Sequence, residues 1–208
     1  MNILTYGDIK NNISFVGENQ NIMSDIKFGT DGWRAIIAED YTVDNVKRVS
    51  VAVADYLLKL KDKPCVVIGH DCRFGGKMFL EAASAVFCSK GINVIIGKGI
   101  VSTPMVSLGA KVFNADMGIV ITASHNPPSY NGYKLKSSFG GPSSPEVVGD
   151  VEALIPDSFN GDLLSISDYE QQGLVKYEDF ESLYMDRLRN SFDLDLIKEK
   201  VSFAYEAM

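Results

Sequence analysis

Met117-Gly118-Ile119-Val120-Ile121-Thr122-Ala123-Ser124-His125-Asn126-Pro127-Pro128-Ser129-Tyr130-Asn131-Gly132-Tyr133-Lys134 is the stretch that decides how the chain is read. Its first five residues are apolar, rich in β-branched types and bounded by turn formers, the pattern of a strand buried on both faces. Such a strand delivers its C-terminal end into a loop carrying a hydroxyl, an imidazole and an amide at Ser124, His125 and Asn126. Pro127 and Pro128 stop regular structure there, because their rings fix φ, lack an N–H and restrict the residue before them. Asn131-Gly132 then reads as a tight turn that sends the chain into a second strand from Tyr133, bringing Lys134 back toward the serine.

Upstream, strands and helices alternate. Val46, Val49, Val53, Tyr56, Leu57 and Leu60 recur at three- and four-residue steps after Thr42, a natural N-cap, and Pro64 marks the stop. Cys65 to Ile68 and Asn93 to Gly97 read as buried strands, Met78 to Ser89 as a helix stopped by Gly91, and Ser102-Thr103-Pro104 as the start of another helix. Ser144-Pro145 opens a further one. The fold class expected is α/β: a three-layer α/β/α sandwich with helices on both faces of a mostly parallel or mixed sheet. In open sheets of this kind ligands bind beyond the carboxyl ends of the strands, which is where Ser124 falls.

The polar loop has a bland reading, in which its side chains only satisfy backbone groups of a surface turn. A serine hydrolase is a poor fit. The Gly-x-Ser-x-Gly elbow is absent, and His125 adjoins Ser124 in the chain instead of being brought to it by the fold. What remains is a hydroxyl able to carry a phosphate, with cationic and imidazole partners to stabilise charge and move protons.

On these residues the sequence resembles the α-D-phosphohexomutases, the phosphoglucomutase and phosphomannomutase family. Thr122-Ala123-Ser124-His125-Asn126-Pro127 is similar to the family's phosphoserine loop, Phe28-Gly29-Thr30-Asp31-Gly32-Trp33-Arg34 to its N-terminal Gly-Thr-x-Gly-x-Arg motif, Gly69-His70-Asp71-Cys72-Arg73 to its Gly-x-Asp-x-Arg, and Asn131-Gly132-Tyr133-Lys134 to the segment with its lysine. The motifs stand in the family's order, from about Lys27 to Pro156. The resemblance implies Ser124 as phosphoryl carrier, Lys134 as proton donor or acceptor at the sugar hydroxyl, His125 as a neighbour sharing proton transfer, and Arg34 as stabiliser of the phosphoryl group. Thr122, Asn126, Asn131 and Gly132 are the loop's support. It also implies magnesium, held by an oxygen of the Ser124 phosphate and by aspartates of an Asp-Gly-Asp-x-Asp loop that this sequence does not contain, and a hexose 1,6-bisphosphate intermediate.

Asp31 is expected as a turn former, Asp71 as a cap for the following helix paired with Arg73, and Lys136 as an exposed strand lysine, the alternative being a second cation near the site. Residues 1–25 read as an N-terminal extension, either a short covering element or disordered, residues 26–165 as the domain carrying the loop, and 166–208 as a linker and the start of a second domain. The boundary is placed between Pro156 and Lys176, where apolar periodicity fades, and Val201 to Tyr205 is expected as the new domain's first strand.

The 208 residues carry a formal net charge of −7, with 46% hydrophobic and 23% charged residues, ordinary for a globular protein. That charge argues against nonspecific nucleic-acid binding and an anionic membrane surface, and no apolar stretch approaches the length of a membrane span. Three cysteines without metal-ligand spacing suit a reducing, cytoplasmic setting. The expected partner is a hexose phosphate, with the remaining mutase domains in cis. Without their metal, sugar and phosphate loops, these residues alone are expected to show no useful turnover. The alternative is a noncatalytic module that binds a sugar phosphate or a protein.

Overall fold

The computed structural model describes residues 26–206, and the expected extension over 1–25 lies outside them. In chain order the elements are β1 (Trp33–Ile36), α1 (Val43–Leu60), β2 (Cys65–His70), α2 (Gly76–Ser89), β3 (Asn93–Gly97), α3 (Thr103–Val112), β4 (Met117–Ile121), β5 (Tyr130–Ser137), α4 (Pro145–Glu152), α5 (Ile166–Gln171), β6 (Val175–Glu178), α6 (Phe180–Ser191) and α7 (Leu194–Lys200). The six strands form one mixed sheet in the order β1-β5-β4-β2-β3-β6. β2, β3, β4 and β6 are parallel, and β5 lies antiparallel between β4 and β1.

Each face of the sheet buries its own cluster. Val66, Ile68, Ile119, Ile121 and Tyr133 meet α1 and α2 through Val49, Val53, Phe79 and Ala83 on one side. On the other, Val67 and Val120 meet Val106 and Ala110 of α3 and Phe180 of α6. Alternate residues of one strand thus feed opposite cores, as the two-residue period of a strand requires, and the α/β/α layering follows. Thr42 caps α1, its hydroxyl accepting from the Asn45 N–H at 3.2 Å, and Ser144 caps α4 with Pro145 in the first turn.

After β2 the chain crosses to β3, then crosses back past β2 to β4. The helices that follow β2 and β3 therefore lie on opposite faces, α2 against one core and α3 against the other. Where neighbouring connections diverge in this way a crevice opens at the carboxyl ends of the strands. Here it opens between β2 and β4, at Asp71 and Thr122.

Three expectations are corrected. Asn131-Gly132 is not a turn: both residues lie inside β5, Asn131 opposite Ala35 and Gly132 opposite Arg34. The reversal is made earlier, by the proline segment, where Tyr130 N–H bonds the Pro127 carbonyl at 3.0 Å. β1, hidden in the sequence by its four-residue length and central arginine, is the strand that occupies β5's other edge.

Past Pro156 the chain also does not leave the sheet. β6 adds a parallel strand to β3, from Val94↔Val175 to Gly97↔Glu178. Phe180 follows it and is fully buried in the core under α3. Val201 to Tyr205 forms no strand but is exposed.

Candidate active site

The loop after β4 is held by a small number of directed bonds. Ser124 adopts a left-handed backbone, φ 57°, a conformation that costs a non-glycine residue roughly 1–2 kcal/mol. Thr122 stabilises it: its Oγ1 accepts from the Ser124 N–H at 3.0 Å and donates to Asp71 Oδ2 at 2.5 Å. The serine side chain consequently stands exposed at the tip of a fixed turn. His125 is exposed beside it, with Nδ1 3.4 Å from the serine Oγ.

Arg73 is the anchor that sequence reasoning missed. Its guanidinium donates to the carbonyls of Ser124 (2.9 Å), Asn126 (2.6 Å), Pro127 (2.8 Å) and Tyr130 (2.9 Å). Asp71 completes the fixture, accepting from the Arg73 N–H at 3.0 Å and lying 3.5 Å from Arg73 Nε. Asp71 therefore pairs with Arg73 as expected but does not cap α2, whose N-cap is Gly75. A signal was present in the sequence: a loop with two prolines is short of N–H donors while its carbonyls still need partners, and arginine carries five donors in one plane.

Arg34 approaches from β1. It donates to Asn126 Oδ1 at 3.3 Å and to the Asp31 carbonyl at 3.5 Å, both long, and its buried Nε has no partner among the described residues. The guanidinium thus keeps donor capacity for an anion. Asn131 supports the site from inside β5, with Oδ1 accepting from the Gly132 N–H and Nδ2 donating to the Phe74 carbonyl at 3.3 Å. Gly132 is required by closeness, since a Cβ there would stand 2.5 Å from the Thr122 carbonyl oxygen and 2.8 Å from that of Trp33. Thr122 and Gly132 bond directly across the two strands at 2.9 Å.

Lys134 and Lys136 share one face of β5. Lys134 Nζ donates to Asp31 Oδ2 at 2.6 Å, Lys136 Nζ to Asp31 Oδ1 at 3.0 Å, and each side chain is only 5% exposed. Lys136 is therefore not the solvated strand lysine expected, and Asp31 is more than a turn former. Burial alone would push the Asp31 carboxyl up, but hydrogen bonds and charge from the two lysines outweigh it and hold it below the usual carboxylate range. Gly32, at φ 106°, lets this turn pass over β5, where a Cβ would meet Lys134 Cγ and the Tyr133 carbonyl oxygen, each at 2.8 Å.

Beside the loop lies a cavity of about 570 Å³ lined by His70, Arg73, Gly76, Lys77, Met78 and Ile100 among others. Among the described residues no group of three or more His, Cys, Asp or Glu side chains could hold a metal ion. The three cysteines are free thiols, and no helix of the described residues is long and apolar enough to cross a membrane.

The chain is similar in sequence and fold to known proteins. A phosphoglucomutase/phosphomannomutase from Thermococcus kodakarensis is 33% identical over 177 residues, which cover 85% of this chain and 38% of that protein. A phosphoglucosamine mutase from Finegoldia magna is 37% identical over 176 residues, 84% of this chain and 38% of its own length. The crystal structure of a protein named as a phosphomannomutase from Thermus thermophilus superposes with a TM-score of 0.76 at 32% identity, over 85% of this chain and 38% of that one. The chain therefore spans about two fifths of the length of these relatives. Residues 25–160 match the family model for the phosphoglucomutase/phosphomannomutase alpha/beta/alpha domain I, and the chain belongs to the phosphoglucomutase/phosphomannomutase family.

Proposed function

We propose that this chain is the phosphoryl-carrying first domain of a mutase that moves a phosphoryl group between the 1- and 6-positions of a hexose phosphate, through a phosphoserine at Ser124 and a hexose 1,6-bisphosphate. The observation that carries the reading is Ser124 itself: an exposed hydroxyl on a left-handed residue, in a loop clamped at four carbonyls by Arg73. Such rigidity serves in-line transfer, where positioning supplies much of the catalysis.

In the forward half, the Oγ–P bond of phosphoserine breaks as a sugar hydroxyl bonds phosphorus. The hydroxyl proton passes to the neutral amine of Lys134, and the electron pair stays on Ser124 Oγ. In the return half, Oγ attacks the other phosphate, the sugar O–P bond breaks, and the Lys134 ammonium gives its proton to the departing oxygen. Arg34, with its unpartnered Nε, meets the phosphoryl oxygens, and His125 hydrogen-bonds near Oγ. Magnesium would neutralise charge on the transferring group. Among the described residues, a phosphate oxygen on Ser124 would be its ligand.

The substrate class is a hexose or hexosamine monophosphate, in keeping with relatives named for glucose, mannose and glucosamine. The free thiols and the charge of −7 support a cytoplasmic setting and argue against nucleic acid and anionic membrane as partners. The rest of the relatives' length would supply metal and sugar contacts in cis. Radiolabelled glucose 1,6-bisphosphate tests the reading: label is expected to enter the chain and to be lost on Ser124→Ala. Label that persists in Ser124→Ala contradicts it. A coupled assay with glucose 1-phosphate is expected to show no turnover for these 208 residues alone.

A further inference from the structure

Three cations converge on one aspartate beside the loop. Asp31, in the turn before β1, accepts from Lys134 and Lys136 through separate carboxylate oxygens, and Arg34 Nη2 reaches its carbonyl. The two lysines are two residues apart on β5 and so point to one face. Among the described residues, Asp31 is the carboxylate bonded to both lysines. β4 brings Gly118 and Val120, a Cβ at Gly118 falling 3.2 Å from Lys136 Cβ, and the lysine of α3, Lys111, is exposed.

One buried ammonium needs one carboxylate, so the second lysine calls for a reason. If Asp31 served Lys134 alone, each deprotonation of Lys134 would leave the Asp31 carboxylate, one third exposed, without its ammonium partner, and that loss would favour keeping the proton on the amine. Lys136 offsets the loss. It keeps Asp31 paired whichever charge state Lys134 holds, through the second carboxylate oxygen.

We propose that Lys136 is the charge-compensating partner of Lys134, and that Asp31 is the positioning residue that binds both ammonium groups into one triad from which Lys134 exchanges its proton. The inference rests on Lys134 as the proton-transfer group of the function proposed above. The carboxyl of Asp31, held low by both lysines, is consistent with it. Lys136 and Asp31 act through Lys134 and touch no substrate.

The test is a titration of the 208-residue chain with lysines carbon-labelled at Cε, followed by NMR from about pH 7 to about pH 12, with Lys134→Arg identifying the Lys134 signal. Lys136→Met is expected to raise the Lys134 midpoint by about one unit or more, a tenfold gain in proton affinity. Asp31→Asn is expected to lower it, and Lys136→Arg, which restores a cation, to return it toward the parent value. Where Lys136→Met does not fold, Lys136→Gln serves the same comparison. An unchanged midpoint on neutralising Lys136, or a shift downward, overturns the proposal. The same titration in a Ser124→Ala background reads the triad without any phosphate on the serine, so failure of the phosphoserine reading and failure of this one are told apart.

Discussion

Arg73 Nη2 lies 2.9 Å from the carbonyl oxygen of Ser124, while Arg73 Nε lies 3.5 Å from Asp71, so the candidate nucleophile's own peptide is tied to the end of the neighbouring strand β2. Two loops that diverge at the crevice are thereby joined through a single guanidinium. The serine's unusual backbone is maintained by bonds that do not involve its hydroxyl, which leaves Oγ exposed beside His125 Nδ1.

Arg73→Lys tests that coupling. A lysine keeps the charge but cannot spread four donors in a plane. The substitution is expected to destabilise the chain by about 2–4 kcal/mol in urea unfolding, and to cut phosphoryl uptake by Ser124 at least about tenfold through lost positioning. Parent-like stability and uptake together would show that the four carbonyl bonds are incidental.

Phe180 tests the extent of the folded unit. It is fully buried against the α3 side of the sheet although it follows the segment where the sequence loses its periodicity. Phe180→Ala is expected to cost about 3–5 kcal/mol of global stability, the usual range for emptying a core aromatic site. Thermal unfolding that remains single and near the parent midpoint would instead mean that β6 and α6 are an appendage to a core complete without them.

Acid stability reports on Asp31. Its folded pKa is depressed, so the stability it contributes is fully present above the unfolded value of about 3.9 and is lost as pH falls through the lower folded value. Asp31→Asn removes that contribution. The variant is expected to be less stable than the parent at neutral pH and to lose less on acidification below about pH 4, the two unfolding curves converging there. A constant stability difference across the acid range would contradict the assignment.

How much of this was legible in the sequence depended on whether the deciding interaction was local. α1 and α4 could be read because cap and apolar stripe lie on adjacent turns, with Thr42 and Ser144 bonding the N–H groups three residues on. β2, β3 and β4 could be read because strands buried on both faces are apolar throughout. The motif residues of the loop were visible as residue types, but their partners were not. Arg73 meets Ser124 across 51 positions, and Lys134 meets Asp31 across 103. Lys136 was misread as solvated because a lysine alternating along a strand looks the same whether its face meets water or a buried carboxylate. Asn131-Gly132 was misread as a turn because glycine also serves close packing between strands, which is its use beside Thr122 and Trp33. β6 was missed because Val175 is its one buried residue, too little for a pattern.

The central claim is that Ser124 carries the phosphoryl group, and peptide mapping by mass spectrometry tests it most directly. The protein is mapped after incubation with glucose 1,6-bisphosphate and magnesium, alongside Ser124→Ala. The account predicts one phosphate on the peptide containing Thr122 to Lys134, located at Ser124 and absent from the variant. An unmodified peptide, or a phosphate on another residue of it, would contradict the account.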